Sequence, residues 1–356
     1  MRAPSQDFLF ELLEAPSPSG SEQPAQRLIR KWMKPVADEI LTDVHGNTMA
    51  VLNPRGKPRV MLAGHVDQIG FMVRYINDDG FVHFGPVGGV DASVVPGLTL
   101  WVHTPKGPVK GVVGRKAIHL MKTDERHSNK IDLSDLWLDI GAKNRAEAEK
   151  RVAIGHFITY ALGVTRLGGE LVASPGMDDK IGVFVVMEAL QRIRASRKKL
   201  SCAVYAVATV QEELGLRGAR TAAFGIDPQV GIAVDVTHSA DYPGADKKAL
   251  GDLALGKGPV LAVGPNINPV LGDLLVQTAR KRRIPFQREG EPRATGTDAN
   301  AMQINRCGVA AALVSIPNRC MHTPVEVVHL GDADQAVQLL AETCLAIHPK
   351  LSFIPS

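Results

Sequence analysis

The run RVMLAGHVD, residues 59–67, is apolar from Val60 through Ala63 with no polar alternation, so it must be buried on both faces. Such a strand belongs to a largely parallel sheet covered by helices on either side. Its carboxyl end delivers His65 and Asp67. Three later runs have the same character: CAVYAVATV (202–210), VGIAVDVT (230–237) and GVAAALVSI (308–316). Helical patterns fall between and after them over 180–194, 217–223, 269–283, 298–305 and 331–347. Ahead of the first strand the spacing predicts a helix sharing Phe8, Leu12 and Leu13 on one face, and a Pro/Ser/Gly loop at 15–21. A second helix follows at 22–33 with Leu28, Ile29 and Trp32 inward, then a turn at His45, Gly46 and Asn47.

Between about residues 71 and 166 the texture changes. Short runs such as FMVRYI, GFVHFG, LTLWVH, VKGVVG and VAIGHFITY are separated by Gly, Pro and Asn-Asp-Gly turns, which reads as a small β-rich domain. The polar piece TDERHSNKID (123–132) reads as a mobile loop within it. The chain of 356 residues is long for one core, and the pattern resolves it into an α/β domain made of 1–71 and 167–356, interrupted by a β-rich insertion at 72–166.

Composition excludes several classes. The net charge of +4 and 5% aromatic content argue against a polyanion-binding or base-stacking surface, so no nucleic-acid partner is expected. The basic runs at 192–199 and 279–283 end predicted helices, where cations complement the helix dipole. No apolar run reaches the length of a membrane span, and the N-terminal apolar stretch is broken by Glu11 and Glu14. Cys202, Cys307, Cys320 and Cys344 lack paired short spacings and suit a reducing compartment, so a cytoplasmic protein without membrane association is expected. Phosphate-binding glycine motifs and a G-x-S-x-G nucleophile elbow are both missing from the sequence, and no nucleotide cofactor is expected.

In an open α/β sheet, ligands gather beyond the carboxyl ends of the strands. Those ends carry His65 and Asp67, Glu212 and Glu213, Asp235, and a loop leading to His322, while Asp178 and Asp179 enter the helix at 180. Carboxylates so crowded repel one another unless cations neutralise them, and two divalent metals are the economical solution. Position alone leaves alternatives open. Asp178 and Asp179 serve equally well as first-turn helix carboxylates, a lone histidine at a strand end is commonly a hydrogen-bonded loop residue, and Glu212 and Glu213 could be solvated.

GHVDQIGFMV (64–73), PVGGVD (86–91), MDDKIGV (177–183), TVQEELGLRGA (209–219), AVDVTHSADYPG (233–244) and GTDANAMQINRCGVAAALVSIPNRCMHTPVEVV (296–328) resemble, in order and spacing, family 42 of the metallopeptidases. SPSGSEQPAQ and DVHGNTMAVL near the N-terminus extend the likeness to nearly the whole chain. The resemblance implies a phosphorylase/hydrolase-like α/β/α catalytic fold with a mixed sheet, and an inserted PDZ-like dimerisation domain. It implies an aminopeptidase acting on peptides with two divalent ions per chain, zinc or cobalt, and a homo-oligomer, a dodecamer built from dimers.

Carried over by position, His65, Asp178 and Asp235 correspond to the ligands of one metal, and Asp178, Glu213 and His322 to those of the other, with Asp178 as the bridge. Glu212 corresponds to the general base, and Asp67 to the carboxylate that orients His65. A cis peptide between Asp178 and Asp179 is also implied. Three positions depart from the family pattern: Gln68 where Glu is usual, Lys180 for a frequent Arg, and Cys320 where Tyr is common. Competing readings are a β-glycanase, because some family members are labelled endoglucanases, and a non-catalytic peptide-binding or assembly protein.

Overall fold

The computed structural model describes residues 1–121 and 131–355; the predicted loop at 123–132 therefore lies, up to residue 130, outside the described residues. Eight strands form one mixed sheet in the spatial order Glu39–Thr42, Thr48–Leu52, Ala203–Thr209, Arg59–His65, Val230–His238, Ala310–Asn318, Val260–Val263, Gln287–Gly290. The four central strands, Ala203–Thr209 through Ala310–Asn318, are mutually parallel. Their carboxyl ends consequently share one edge of the sheet.

The doubly buried character of these strands is visible residue by residue. Val60 and Leu62 enter a core built with the helices Ala3–Glu14, Gln23–Met33, Met177–Ser196 and Leu330–Ala346. Met61 and Ala63 enter a separate core on the opposite face with the helices Arg217–Ile226 and Asp298–Gln303. Alternating side chains of one apolar run thus supply two cores, the arrangement that a continuous run requires. In Gln23–Met33 the buried residues are Ala25, Gln26, Ile29 and Met33. Leu28 and Trp32 are only half-buried, and Trp32 stacks on Phe8 with ring centroids 4.7 Å apart.

Six strands from Gly70–Ile76 to Phe157–Tyr160 close into a small antiparallel barrel inserted into the α/β body. It has its own apolar interior, centred on Phe71, whose ring meets Phe84 and Tyr160 edge-on at 5.1 and 5.7 Å. A three-stranded sheet of Thr165–Gly168, Leu171–Ser174 and Glu326–His329 stands beside the junction. Several strands had no clear sequence signal. Gln287–Gly290 reads QREG, an edge strand with no apolar alternation, and the hairpin Glu39–Thr42 is largely exposed. Among the described residues, no helix is long and apolar enough to cross a membrane.

The contact that brings the sheet and the helix Met177–Ser196 into working distance is glycine on glycine. A Cβ on Gly64 would stand 2.6 Å from the Gly182 carbonyl carbon and from the Val183 nitrogen, and one on Gly182 would stand 2.3 Å from the Asp179 carboxylate. Nothing larger fits without moving the helix start. Gly64→Ala is therefore expected to destabilise the fold by about 1–3 kcal/mol through overpacking. Gly225→Ala, at an exposed helical position with open space around it, should leave stability unchanged or raise it. Chemical denaturation of both variants checks this, and equal effects would contradict the close-packing argument.

Candidate metal centre

The shared edge of the four parallel strands gathers the polar residues. His65 is the last residue of Arg59–His65, Asp235 lies within Val230–His238, Glu212 and Glu213 follow Ala203–Thr209, and His322 follows Ala310–Asn318. Asp178 comes from the opposite side, at the start of Met177–Ser196. There the backbone leaves helical geometry at Asp178 and Asp179, and the peptide bond joining them is cis.

Asp178 stands at the middle. Its Oδ1 is 3.0 Å from His65 Nε2 and its Oδ2 is 3.2 Å from His322 Nε2. His322 Nε2 is 3.4 Å from Glu213, while Asp235 and Glu212 each come within 3.9 Å of His65 Nε2. The donors of His65, Asp178 and Asp235 lie within 4.8 Å of one another, as do those of Asp178, Glu213 and His322.

The other ring nitrogens fix the orientation of both histidines. His65 Nδ1 is 3.0 Å from the Asp67 carbonyl oxygen and His322 Nδ1 is 2.9 Å from the Gly89 carbonyl oxygen. A carbonyl only accepts, so each Nδ1 donates and each Nε2 faces Asp178, where it either carries a proton and donates or, in a neutral ring, offers its lone pair to a cation. Without a proton on Nε2, two lone pairs aimed at a carboxylate repel it unless a cation lies between them. The donor set, imidazole nitrogens with carboxylate oxygens around a shared Asp178, fits divalent metal ions.

In the metal-free chain, protons take the place of such cations. Burial, with the charge of Asp178, pushes Glu213 up to about 7. Burial pushes Asp235 up to about 8 and Glu212 up to about 10, although the nearby His65 opposes both. Asp178 runs the other way: burial would raise it, but hydrogen bonding to His322 and His65 holds it well below the usual carboxylate range. His322 rises to about 9, chiefly through its hydrogen bond to Asp178.

Other groups hold this cluster in place. Asp67 accepts from Ser19 Oγ at 2.6 Å and from the backbone N–H groups of Glu212 and Glu213 at 3.0 and 3.2 Å; its carboxylate is 3.6 Å from His65 Nδ1. Asp179 keeps the helix-start role left open by the sequence, accepting from the Gly182 N–H at 3.0 Å and from the His65 N–H at 3.1 Å. Glu326, not singled out from the sequence, accepts from the backbone N–H of Asp178 at 3.1 Å and of His322 at 2.8 Å. Its signal was a lone acidic residue four positions after His322 in an otherwise apolar strand. Gly89, from the inserted barrel, was also missed, since a backbone carbonyl leaves no mark in a sequence.

Two departures from the family pattern meet each other. Lys180 Nζ, fully buried, donates to the Gln68 side-chain oxygen and to the carbonyls of Leu13 and Ala15. Gln68 and Lys180 thus form one hydrogen-bonded unit beside the site. The third departure, Cys320, is exposed at a position of positive φ, 62°, and its carbonyl accepts from Thr323.

A cavity of about 1280 Å³ opens from the cluster along the sheet edge, bounded by Thr237, Ala262, Glu289, Thr297 and Leu313. An α/β/α body with a buried His and carboxylate cluster at the carboxyl ends of its parallel strands defines a metallohydrolase. The sequence model of the M42 glutamyl aminopeptidase family matches residues 46–339, and the chain belongs to that family. It is a peptide hydrolase.

The chain is 41% identical to the lysyl aminopeptidase of Pyrococcus furiosus, over 98% of this chain and 99% of that one. Among solved structures it is similar to a TET aminopeptidase from a marine-sediment Thaumarchaeota archaeon, with TM-score 0.93 and 32% identity over 98% of this chain and 97% of that one. The structure titled PhTET1-12s, a dodecamer in its asymmetric unit, superposes with TM-score 0.84 and 30% identity over 96% and 98% of the two chains.

The shifted groups set a pH dependence for the metal-free protein. Glu213 and Asp235 keep protons in the folded chain to about pH 7 and 8, whereas their ordinary values are 4.5 and 3.8. The stability they confer is present at low pH and is lost as pH rises through that window. His322, raised from 6.5 to about 9, acts in the same direction above neutrality. The opposing contribution of Asp178, a lowered carboxyl, is already complete by pH 5. Chelator-treated protein is therefore expected to lose melting temperature by several degrees between about pH 5 and pH 8, with added divalent metal restoring most at the upper end. A melting temperature that is flat or rises across that window in differential scanning fluorimetry would contradict this.

Proposed function

We propose that the chain is a dinuclear-metal aminopeptidase that removes the N-terminal residue of peptides. The observation that supports it most is the shared carboxylate of Asp178, with one oxygen facing His65 and the other facing His322. His65, Asp178 and Asp235 would hold one ion, and Asp178, Glu213 and His322 the other, with zinc or cobalt suited to these donors. When bound, such a pair lowers the pKa of a shared water toward ~7 and polarises the peptide carbonyl.

The chain's own residues do the rest. Glu212, close to His65 Nε2 but in neither ligand trio, takes the proton of the attacking water and returns it to the leaving amine. Asp67 orients His65 and fixes the Glu212–Glu213 turn. Residues 1–71 and 167–356 form the catalytic domain, and the insertion at 72–166 serves as the dimerisation domain from which a dodecamer is built; the dodecameric relative supports that assembly.

A β-glycanase is disfavoured, since its two carboxylates must face one another at ~5 to 9.5 Å across the scissile bond with space for the sugar. Here they share one centre with two imidazoles. The intact donor sets and base likewise disfavour a non-catalytic binding role.

Glu212→Gln is expected to lower kcat on aminoacyl substrates by about 10²- to 10⁴-fold. Elemental analysis of that variant should still find close to two divalent ions per chain. Full activity after exhaustive removal of metal, or an active Glu212→Gln, would contradict the proposal.

A further inference from the structure

The wall of the cavity beside the metal cluster includes a half-buried carboxylate, Glu289, that the mechanism leaves unused. Asp235 and Thr237 project from the same face of Val230–His238, two residues or roughly 6.6 Å apart. The Thr237 hydroxyl donates to the Glu289 carboxylate at 3.0 and 3.1 Å. Glu289 is half-buried in the cavity wall and forms no ion pair among the described residues. Burial raises its pKa, the Thr237 hydrogen bond opposes this, and the neighbouring Glu291 adds to it. Glu289 is thus a carboxylate partly withdrawn from water with a hydroxyl for company and no cation.

The cations of the same wall do not answer it. Lys248, Arg288 and Arg293 are all exposed. Arg288 precedes Glu289 in an extended strand, so its side chain leaves from the opposite face. Solvent screening leaves such exposed charges weak beside a half-buried carboxylate. Part of the wall beside Glu289 is apolar: Ala262 stands in register with Glu289, and Leu313 lies alongside. A peptide amine set at the Asp178 and Asp235 cluster would leave its first side chain within reach of this wall. The four-carbon stem of lysine, roughly 6 Å long, would then lie over the apolar stretch with its ammonium toward the carboxylate.

We propose that Glu289 is the specificity-determining residue of this site and selects peptides whose N-terminal residue is cationic, lysine or arginine; the assignment rests on the aminopeptidase reading above. An acidic side chain would face Glu289 across the half-buried wall and be repelled. A neutral aliphatic one would leave the carboxylate unpaired.

The test uses the metal-loaded full chain with lysyl, arginyl, leucyl and glutamyl p-nitroanilides. Wild type is expected to favour lysyl and arginyl substrates. Glu289→Gln should lower the lysyl-to-leucyl ratio of kcat/KM on the order of 10- to 100-fold. Glu289→Asp, which keeps the charge, should retain the lysyl preference, and Glu289→Arg should move preference toward the glutamyl substrate. Turnover of leucyl or glutamyl substrate in preference to lysyl by wild type overturns the assignment. So does a Glu289→Gln variant that lowers all four rates by one common factor. Failure of wild type to turn over any of the four overturns the aminopeptidase reading and this assignment with it.

Discussion

Everything at the working edge of this protein follows from one electrostatic constraint: buried carboxylates and two imidazole nitrogens crowd around Asp178, at contacts of 3.0 and 3.2 Å to the two rings. Such a cluster is stable only when protons or cations occupy the space between its members. The surrounding fold is arranged to hold it despite that repulsion. Gly64 and Gly182 let helix and strand backbones approach, and Asp179 ties the helix start to the His65 amide. Glu326 pins the backbones of Asp178 and His322 together from behind. Asp67 does the same for Glu212 and Glu213.

The inserted barrel takes part in this arrangement as well. Gly89 accepts from His322 Nδ1, so the ring that faces Asp178 is oriented by a backbone carbonyl of the insertion. The α/β body therefore depends on the barrel for the tautomer of one of its own histidines. Beside it, the buried ammonium of Lys180 is shared between the neutral amide of Gln68 and two backbone carbonyls, those of Leu13 and Ala15.

Much of this was legible in the sequence, for definite reasons. Continuous apolar runs such as 59–63 announce doubly buried strands, and parallel pairing of four of them forces their polar ends to one edge. His65, Asp178, Glu212, Glu213, Asp235 and His322 were found in this way, together with the family motifs. What stayed hidden has physical causes. The role of Asp179 could not be separated from that of Asp178, because adjacent carboxylates at a helix start look alike until the backbone turns between them. The edge strand Gln287–Gly290 carries no apolar period, so the place of Glu289 in the cavity wall depended on pairing across the sheet. Gly89 acts through its main chain alone.

Whether a single carboxylate serves both metal positions is read out by the metal stoichiometry of Asp178→Asn. Removing this bridge is expected to lower bound divalent metal from close to two per chain toward none, because both donor trios lose the same charged member. Retention of one tightly bound ion per chain in that variant would contradict it.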